Sequence, residues 1–313
     1  ARKYSYQCLI IEELEEAGLP SLGDNDSIKP VNGTVERFIK SKDTVFWNLK
    51  GRNLTGFYRQ KTASHFNPNK EWVINKGYTP LGTTKLPQGK PEITLSGELV
   101  VRNTTVTTPS RDNYLLSLNG FKTDASGPVS FSRRADENYI MHFSQEDVGK
   151  IVSITYSLDK SKKSTLLPPT QKELKDMSVK IVEVSDLPRG YFDVKDFITN
   201  LEQRTDLSKT EKAKEIEKYV KDKLVYSLEP YWSAKYHEEK DNKGFIKAIF
   251  DWKRVDCDVA NTALVALLRS IDIPSRMAYG FANTGILDKD NKVLVGTEGH
   301  GWVEAYIDGN WIS

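Results

Sequence analysis

The chain has 313 residues, enough for two ordinary domains. Hydrophobic residues make up 38%, charged residues 28% and aromatics 10%, a globular balance that excludes the aromatic-poor composition of a disordered chain. A formal net charge of +2 gives no reason to expect nucleic acid as a partner, and no run approaches the roughly 18 apolar residues of a membrane helix.

Residues Ile10 to Ala17 (IIEELEEA) read as a short helix, and Gly18 to Pro30 as loop. From Thr44 onward the pattern is that of strands. Thr44 to Leu49 and Leu54 to Tyr58 flank the turn-like Lys50-Gly51-Arg52-Asn53. Ile93 to Val101, Tyr114 to Leu118, Tyr139 to Phe143 and Ile151 to Leu158 are short β-branched and aromatic runs, separated by Gly, Asn, Asp and Ser clusters. That spacing predicts an antiparallel sheet or sandwich. Lys160 to Gln171 reads as a linker, because Pro168-Pro169 disfavours the interior of a helix or strand.

Beyond it the period changes to that of helices. Val194 to Leu201 is a short helical stretch. Ser208-Lys209-Thr210-Glu211 fits a capping box, and Ala213, Ile216, Val220 and Leu224 follow at helical spacing, so a helix is predicted over 208–224. Ala260 to Ile271 is a second helix, apolar all round and therefore buried. Ser275 to Phe281 and His300 to Ile307 read as strands. Asp288-Lys289-Asp290-Asn291 reads as a hairpin tip between Ile286-Leu287 and Val293 to Val295. It lacks the Gly and distal Glu of a calcium loop, so a solvated turn is the simpler reading. The domain scheme is 1–160, β-rich with an irregular start; 161–189, a linker; and 190–313, a mixed core.

Two cysteines as far apart as Cys8 and Cys257 do not make a disulfide framework, and a lone cysteine is most often a small buried hydrophobe. Cys257 differs in its position at the start of the buried helix. Backbone N–H groups and the helix dipole there favour a thiolate, and the same N–H groups can stabilise an oxyanion. Asp256 and Asp258 oppose this unless they point away or are paired. His300 lies on a strand beside glycines, with Trp302, Glu304 and Tyr306 on its face by alternation. His65, His142 and His237 lie in ordinary contexts. Cys257 and His300 are therefore the candidate nucleophile and base.

Cys257 to Phe281 (CDVANTALVALLRSIDIPSRMAYGF) resembles the nucleophile segment of the transglutaminase-like superfamily, and His300 to Trp311 (HGWVEAYIDGNW) resembles its histidine segment. Leu167-Pro168, Glu211-Lys212-Ala213, Tyr226-Ser227-Leu228, and upstream Phe57-Tyr58 and Trp72, are similar to places in the extracytoplasmic region of bacterial membrane-anchored members. The chain departs from the family at Val255, where a Gly is frequent, at Ala260-Asn261 in place of an aromatic, and at Asp272 in place of a Gly before Ile-Pro.

The resemblance implies an α+β fold, with an N-terminal β-rich domain followed by a papain-like core whose Cys helix packs on an antiparallel sheet. It implies cysteine-dependent acyl transfer on a protein or peptide substrate through a thioester acyl-enzyme, with no cofactor and no metal. A protease or amidase of the same fold, or an inactive cell-envelope scaffold, are the alternatives. It also implies membrane anchoring of the full-length protein and a place on the extracytoplasmic side of a bacterial membrane. The family's third catalytic residue, an Asp shortly after the Trp that matches Trp311, is expected beyond Ser313, the sequence being read as a fragment; Asp308 reads as a turn residue. Arg269 and Arg276 read as structural pairing, Glu304 as a candidate to touch the site, and Trp232, Trp252 and Trp302 as core aromatics that are also candidate cleft walls.

Overall fold

Period-two burial builds the first part of the chain. Along Ile151–Lys160 the side chains of Val152, Ile154, Tyr156 and Leu158 are buried, and along Ile93–Val100 so are Ile93, Leu95 and Leu99. Each such side chain contributes on the order of 1.5–3 kcal/mol by leaving water. The computed structural model describes residues 47–51, 56–68, 70–76, 78–80, 91–108, 110–111, 114–134, 136, 139–160, 167–187, 194–283, 293–295 and 299–313. The helix read at 10–17 and the hairpin tip at 288–291 lie outside them.

The strands in chain order are β1 (Trp47–Gly51), β2 (Gly56–Phe66), β3 (Trp72–Ile74), β4 (Tyr78–Pro80), β5 (Ile93–Val100), β6 (Thr105–Thr108), β7 (Ser110–Arg111), β8 (Tyr114–Thr123), β9 (Ser130–Arg134), β10 (Tyr139–His142) and β11 (Ile151–Lys160). They continue with β12 (Val225–Tyr226), β13 (Arg254–Val255), β14 (Ser275–Asn283), β15 (Val293–Val295), β16 (Gly299–Ile307) and β17 (Asn310–Ile312). The helices are α1 (Gln171–Ser178), α2 (Val194–Gln203), α3 (Lys209–Lys223), α4 (Pro230–His237), α5 (Asn242–Trp252) and α6 (Cys257–Ser270). The protein is α+β. Among the described residues no helix is long and apolar enough to cross a membrane.

The chain forms two units, each discontinuous in sequence. One comprises Ala1–Lys61, Lys76–Leu167 and Tyr279–His300; the other comprises Thr62–Asn75, Pro168–Ala278 and Gly301–Ser313. The sequential scheme of 1–160, 161–189 and 190–313 differs from this division, because 62–75 joins the second unit and 279–300 the first.

The first unit contains a five-stranded antiparallel sheet in the order β15-β1-β5-β11-β8 and a four-stranded antiparallel sheet in the order β4-β9-β10-β6. Residues of both sheets, among them Leu95, Tyr156, Phe131 and Met141, share one hydrophobic core. The strand read at Tyr114 to Leu118 continues to Thr123 through a bulge opposite Tyr156, where Gly120 has φ +75°.

In the second unit, α3 begins with the capping box read from the sequence. Glu211 N donates to Ser208 Oγ at 3.2 Å and Ser208 N donates to Glu211 Oε2 at 2.8 Å. Its buried face carries Ile216 and Val220, and the helix packs on α6. The linker reading of 161–189 is corrected at α1. Thr170 caps that helix by accepting from Glu173 N at 3.1 Å, and Glu173 and Met177 are buried. Pro168-Pro169 precedes the cap, where proline does not interrupt helical hydrogen bonding.

A six-stranded sheet in the order β17-β16-β14-β2-β3, with β7 paired to β2, contains three strands (β2, β14 and β16) whose residues are divided between the units. β16 and β17 form an antiparallel hairpin closed by Asp308-Gly309, both at positive φ (50° and 78°), as a two-residue primed turn requires. Asp308 is thus a turn residue, as its sequence context predicts.

Candidate active site

Cys257 is the first residue of α6, which begins three residues before the Ala260 boundary read from the sequence. Its thiol is buried, 3% exposed, and not in a disulfide. Asp256 is the N-cap: its backbone is extended (φ −86°, ψ −175°) and its carboxylate accepts from Val259 N at 2.9 Å. Burial pushes that carboxyl up to about 6, against hydrogen bonds from the backbone N–H groups of Val259, Asp258 and Asp256 that favour the ionised form. The expectation that the N–H groups of the helix start face a thiolate is therefore narrowed. Those of Val259 and Asp258 already serve Asp256, and that of Ala260 donates to the Asp256 carbonyl at 3.0 Å. Asp258 is itself buried, at 5% exposure.

One turn along α6 stands Asn261. Its side-chain amide donates twice: to the carbonyl of Cys257 at 2.8 Å and to the carbonyl of Gly301 on β16 at 2.8 Å. Gly301 follows His300 in the chain. The sequence marks Asn261 only as a departure from an aromatic. The available signal is a polar amide four residues after a candidate nucleophile on a largely buried helix, where a part-buried polar group needs partners.

His300 ends the segment of the first unit that continues into Gly301. The ring of Phe57 lies 4.8 Å from its imidazole, centre to centre, at 58°. Burial pushes the imidazole down to about 4, so His300 is neutral at pH 7. Phe57 is a neighbour that motif reading noted only as part of an upstream resemblance.

The other sequence candidates have structural partners. Glu304 is fully buried, and its Oε2 lies 2.9 Å from Arg276 Nε and 2.7 Å from Nη2. Arg276 also reaches Glu173 Oε1 at 2.7 Å, and its guanidinium sits 3.8 Å from the Trp311 ring centre. Arg269 donates to the carbonyls of Ser275, Val179 and Ser64, and burial pushes it down to about 9, still charged at neutral pH. Trp302 is buried, as read. Trp232 and Trp252 are half-buried rather than core, with Lys235 Nζ 5.4 and 4.1 Å from their ring centres. Among the described residues no group of His, Cys, Asp and Glu is arranged to hold a metal ion.

A family model described as the transglutaminase-like superfamily matches residues 198–313. None of the curated proteins compared with the chain matches it. Among solved structures, the periplasmic domain of TgpA from Pseudomonas aeruginosa is similar, with 16% identity, a TM-score of 0.51, and 88% of this chain and 87% of that chain covered. The same domain bound to ethylmercury shows 16% identity and a TM-score of 0.48, with 86% and 88% covered. At such identity the likeness to the first of these is one of fold. The α-helical nucleophile segment and the histidine strand both fall inside the region, residues 198–313, that matches the transglutaminase-like superfamily model.

Proposed function

We propose that the protein is a cysteine-dependent acyltransferase acting on protein or peptide carboxamides, with Cys257 as nucleophile and His300 as base. The observation that carries this reading is the position of Cys257 at the capped start of a buried helix, within the region that matches the superfamily together with His300. The Cys257 sulfur attacks the carbonyl carbon as the neutral imidazole of His300 takes the thiol proton. The C–N bond then breaks, the amine leaves with that proton, and a thioester remains on Cys257. An amine attacking the thioester gives a new amide, and water gives a carboxylate. The extracytoplasmic side of a bacterial membrane is the proposed location, supported by the fold shared with a periplasmic domain.

The test is incubation with a glutamine peptide and a fluorescent primary amine, with acylation of Cys257 followed by mass spectrometry. Wild-type protein should form a thioester adduct on Cys257 and transfer or hydrolyse it; Cys257→Ala and His300→Ala should do neither. Absence of any adduct across glutamine peptides would sink the enzymatic reading. A scaffold role is the second reading, favoured by one observation: two acidic residues, Asp256 and the buried Asp258, flank Cys257 in the sequence, and a carboxylate near a thiol disfavours its ionisation.

A further inference from the structure

We infer that Asn261 is a positioning residue for acyl transfer, setting the first turn of the nucleophile helix against the strand residue that follows His300. This rests on the acyl-transfer reading above. The amide nitrogen of Asn261 carries two N–H groups in one plane with a fixed angle between them. Both are used: one on the Cys257 carbonyl, one on the Gly301 carbonyl, each at 2.8 Å. One rigid group therefore fixes two backbone points, the peptide unit that carries the nucleophile and the peptide unit next after the base.

The covalent chain transmits this to the reacting atoms. The Cys257 carbonyl is one bond from the Cα that bears the sulfur. Gly301 is joined to His300 by a peptide bond, and its carbonyl can be held only if the plane of the following peptide is held. Glycine at 301 has no side chain to restrain that plane, so the restraint from Asn261 has no substitute within the residue. Asn261 acts through these two backbone carbonyls and is a positioning residue, not a catalytic one. Its effect is on the peptide units that carry Cys257 and follow His300, and displacement of about 1 Å at a reacting pair costs as much as about a hundredfold in rate.

A helix–strand staple with no part in the chemistry would make the same two hydrogen bonds, so the test reads something stability alone does not move. Asn261→Ala and Asn261→Gln are compared with wild type in the pH dependence of Cys257 alkylation by iodoacetamide, with Cys8→Ser throughout and thermal midpoints recorded separately. With the glutamine peptide, kcat and KM are measured apart. N261A is expected to lower the alkylation rate at pH 7 and kcat by about tenfold or more, with KM little changed. N261Q keeps both N–H groups on a longer arm and is expected to retain more of the rate than N261A. A lower thermal midpoint with an unaltered pH–rate profile and kcat would overturn the inference, leaving Asn261 a staple. Should N261A not fold, N261S, with one shorter donor, is read by the same criteria. A wild-type thiol that reacts like a free one and ignores His300→Ala overturns the acyl-transfer reading and this inference together. A reactive wild type matched by the Asn261 variants overturns this inference alone.

Discussion

Replacement of Arg276 by Met tests the electrostatic centre of the second unit. The guanidinium is fully buried and lies 2.7 Å from Glu173 Oε1 and 2.7–2.9 Å from Glu304 Oε2. Met fills most of the volume, so little apolar burial is lost. What remains is two carboxylates without their cation. Glu173 keeps Ser64 Oγ at 3.0 Å and Asn75 Nδ2 at 3.2 Å, so the penalty falls chiefly on Glu304, whose side chain is 1% exposed. Breaking a buried ion pair from one side costs about 3–5 kcal/mol. Loss of the Trp311 contact, 3.8 Å from the guanidinium, places R276M near the top of that range, about 5 kcal/mol. For a unit of this size that corresponds to a fall of about 10–20 °C in thermal midpoint.

Urea unfolding at pH 7 and pH 5 supplies the assay, with the double variant R276M/E304M closing a thermodynamic cycle. The cycle should show coupling of about 2 kcal/mol or more, because removing Glu304 relieves the charge that R276M leaves behind. In R276M a buried carboxylate without its cation favours the protonated form, so its folded-state pKa lies above its unfolded value. Stability is then regained as pH falls and lost as pH rises, so the deficit relative to wild type should shrink at pH 5. A loss below about 1 kcal/mol, no coupling and no pH dependence would together show that this cluster does not hold the unit.

Further perturbations probe backbone and titration. Gly280→Ala places a Cβ against the Tyr58 carbonyl oxygen and 2.9 Å from its carbon, both of them backbone atoms; a loss of about 2–3 kcal/mol by urea unfolding is expected, and a neutral result would contradict the close approach. Asp272 is exposed and follows α6 with φ +59°, so Asp272→Gly should stabilise by about 0.5–1 kcal/mol, read as a rise in thermal midpoint; a fall would mean that the aspartate side chain contributes there. His300 and Asp256 titrate in opposite senses. The low His300 value, about 4, gives stability that is present above its unfolded pKa of about 6.5 and lost as pH falls through about 4. The raised Asp256 value, about 6, gives stability that is present below about 4 and lost as pH rises through about 6. Asp256→Asn, which keeps a capping side chain, should therefore lose stability more steeply than wild type on acidification from pH 6.5 to 4, and His300→Gln less steeply. Phe57→Ala uncovers the imidazole and should move its NMR titration upward from about 4; an unmoved titration would assign the burial to other groups.

The helical half was legible because its signals are local. The Ser208–Glu211 capping box, the apolar run of α6 and the Asp308-Gly309 turn each depend on contacts within four residues, and each appears where the residues predict it. Asp272 was legible too, as an aspartate where the family often has glycine, and its left-handed backbone explains that preference. The α1 helix was hidden by Pro168-Pro169, although Thr170 and Glu173 carry a recognisable N-cap spacing. Cys257 stood out by residue type. Asn261 did not, because a side-chain amide announces no partner, and Gly301 lies 40 residues away.

The segment 62–75 shows where pattern reading must fail. Along β2 the buried residues include Gln60, Lys61, Thr62 and Ser64, so the apolar alternation that marks a half-buried strand is missing. These positions are polar because their partners are polar and distant in sequence. Ser64 donates to Glu173 and its carbonyl accepts from Arg269, 205 residues away. Asn75 reaches Thr62, Ser64 and Glu173, while Trp72 donates its indole N–H to Thr262 on α6 at 2.9 Å. A buried hydroxyl or amide is stable only where such partners close around it, and leaving one unmade costs about 1–3 kcal/mol. The same network thus explains why residues 62–75 lie in the helical unit and why nothing in their own composition says so. The residues that assign the segment there are satisfied by Glu173, Arg269 and Thr262, and those three acquire their meaning only once the strand is in place.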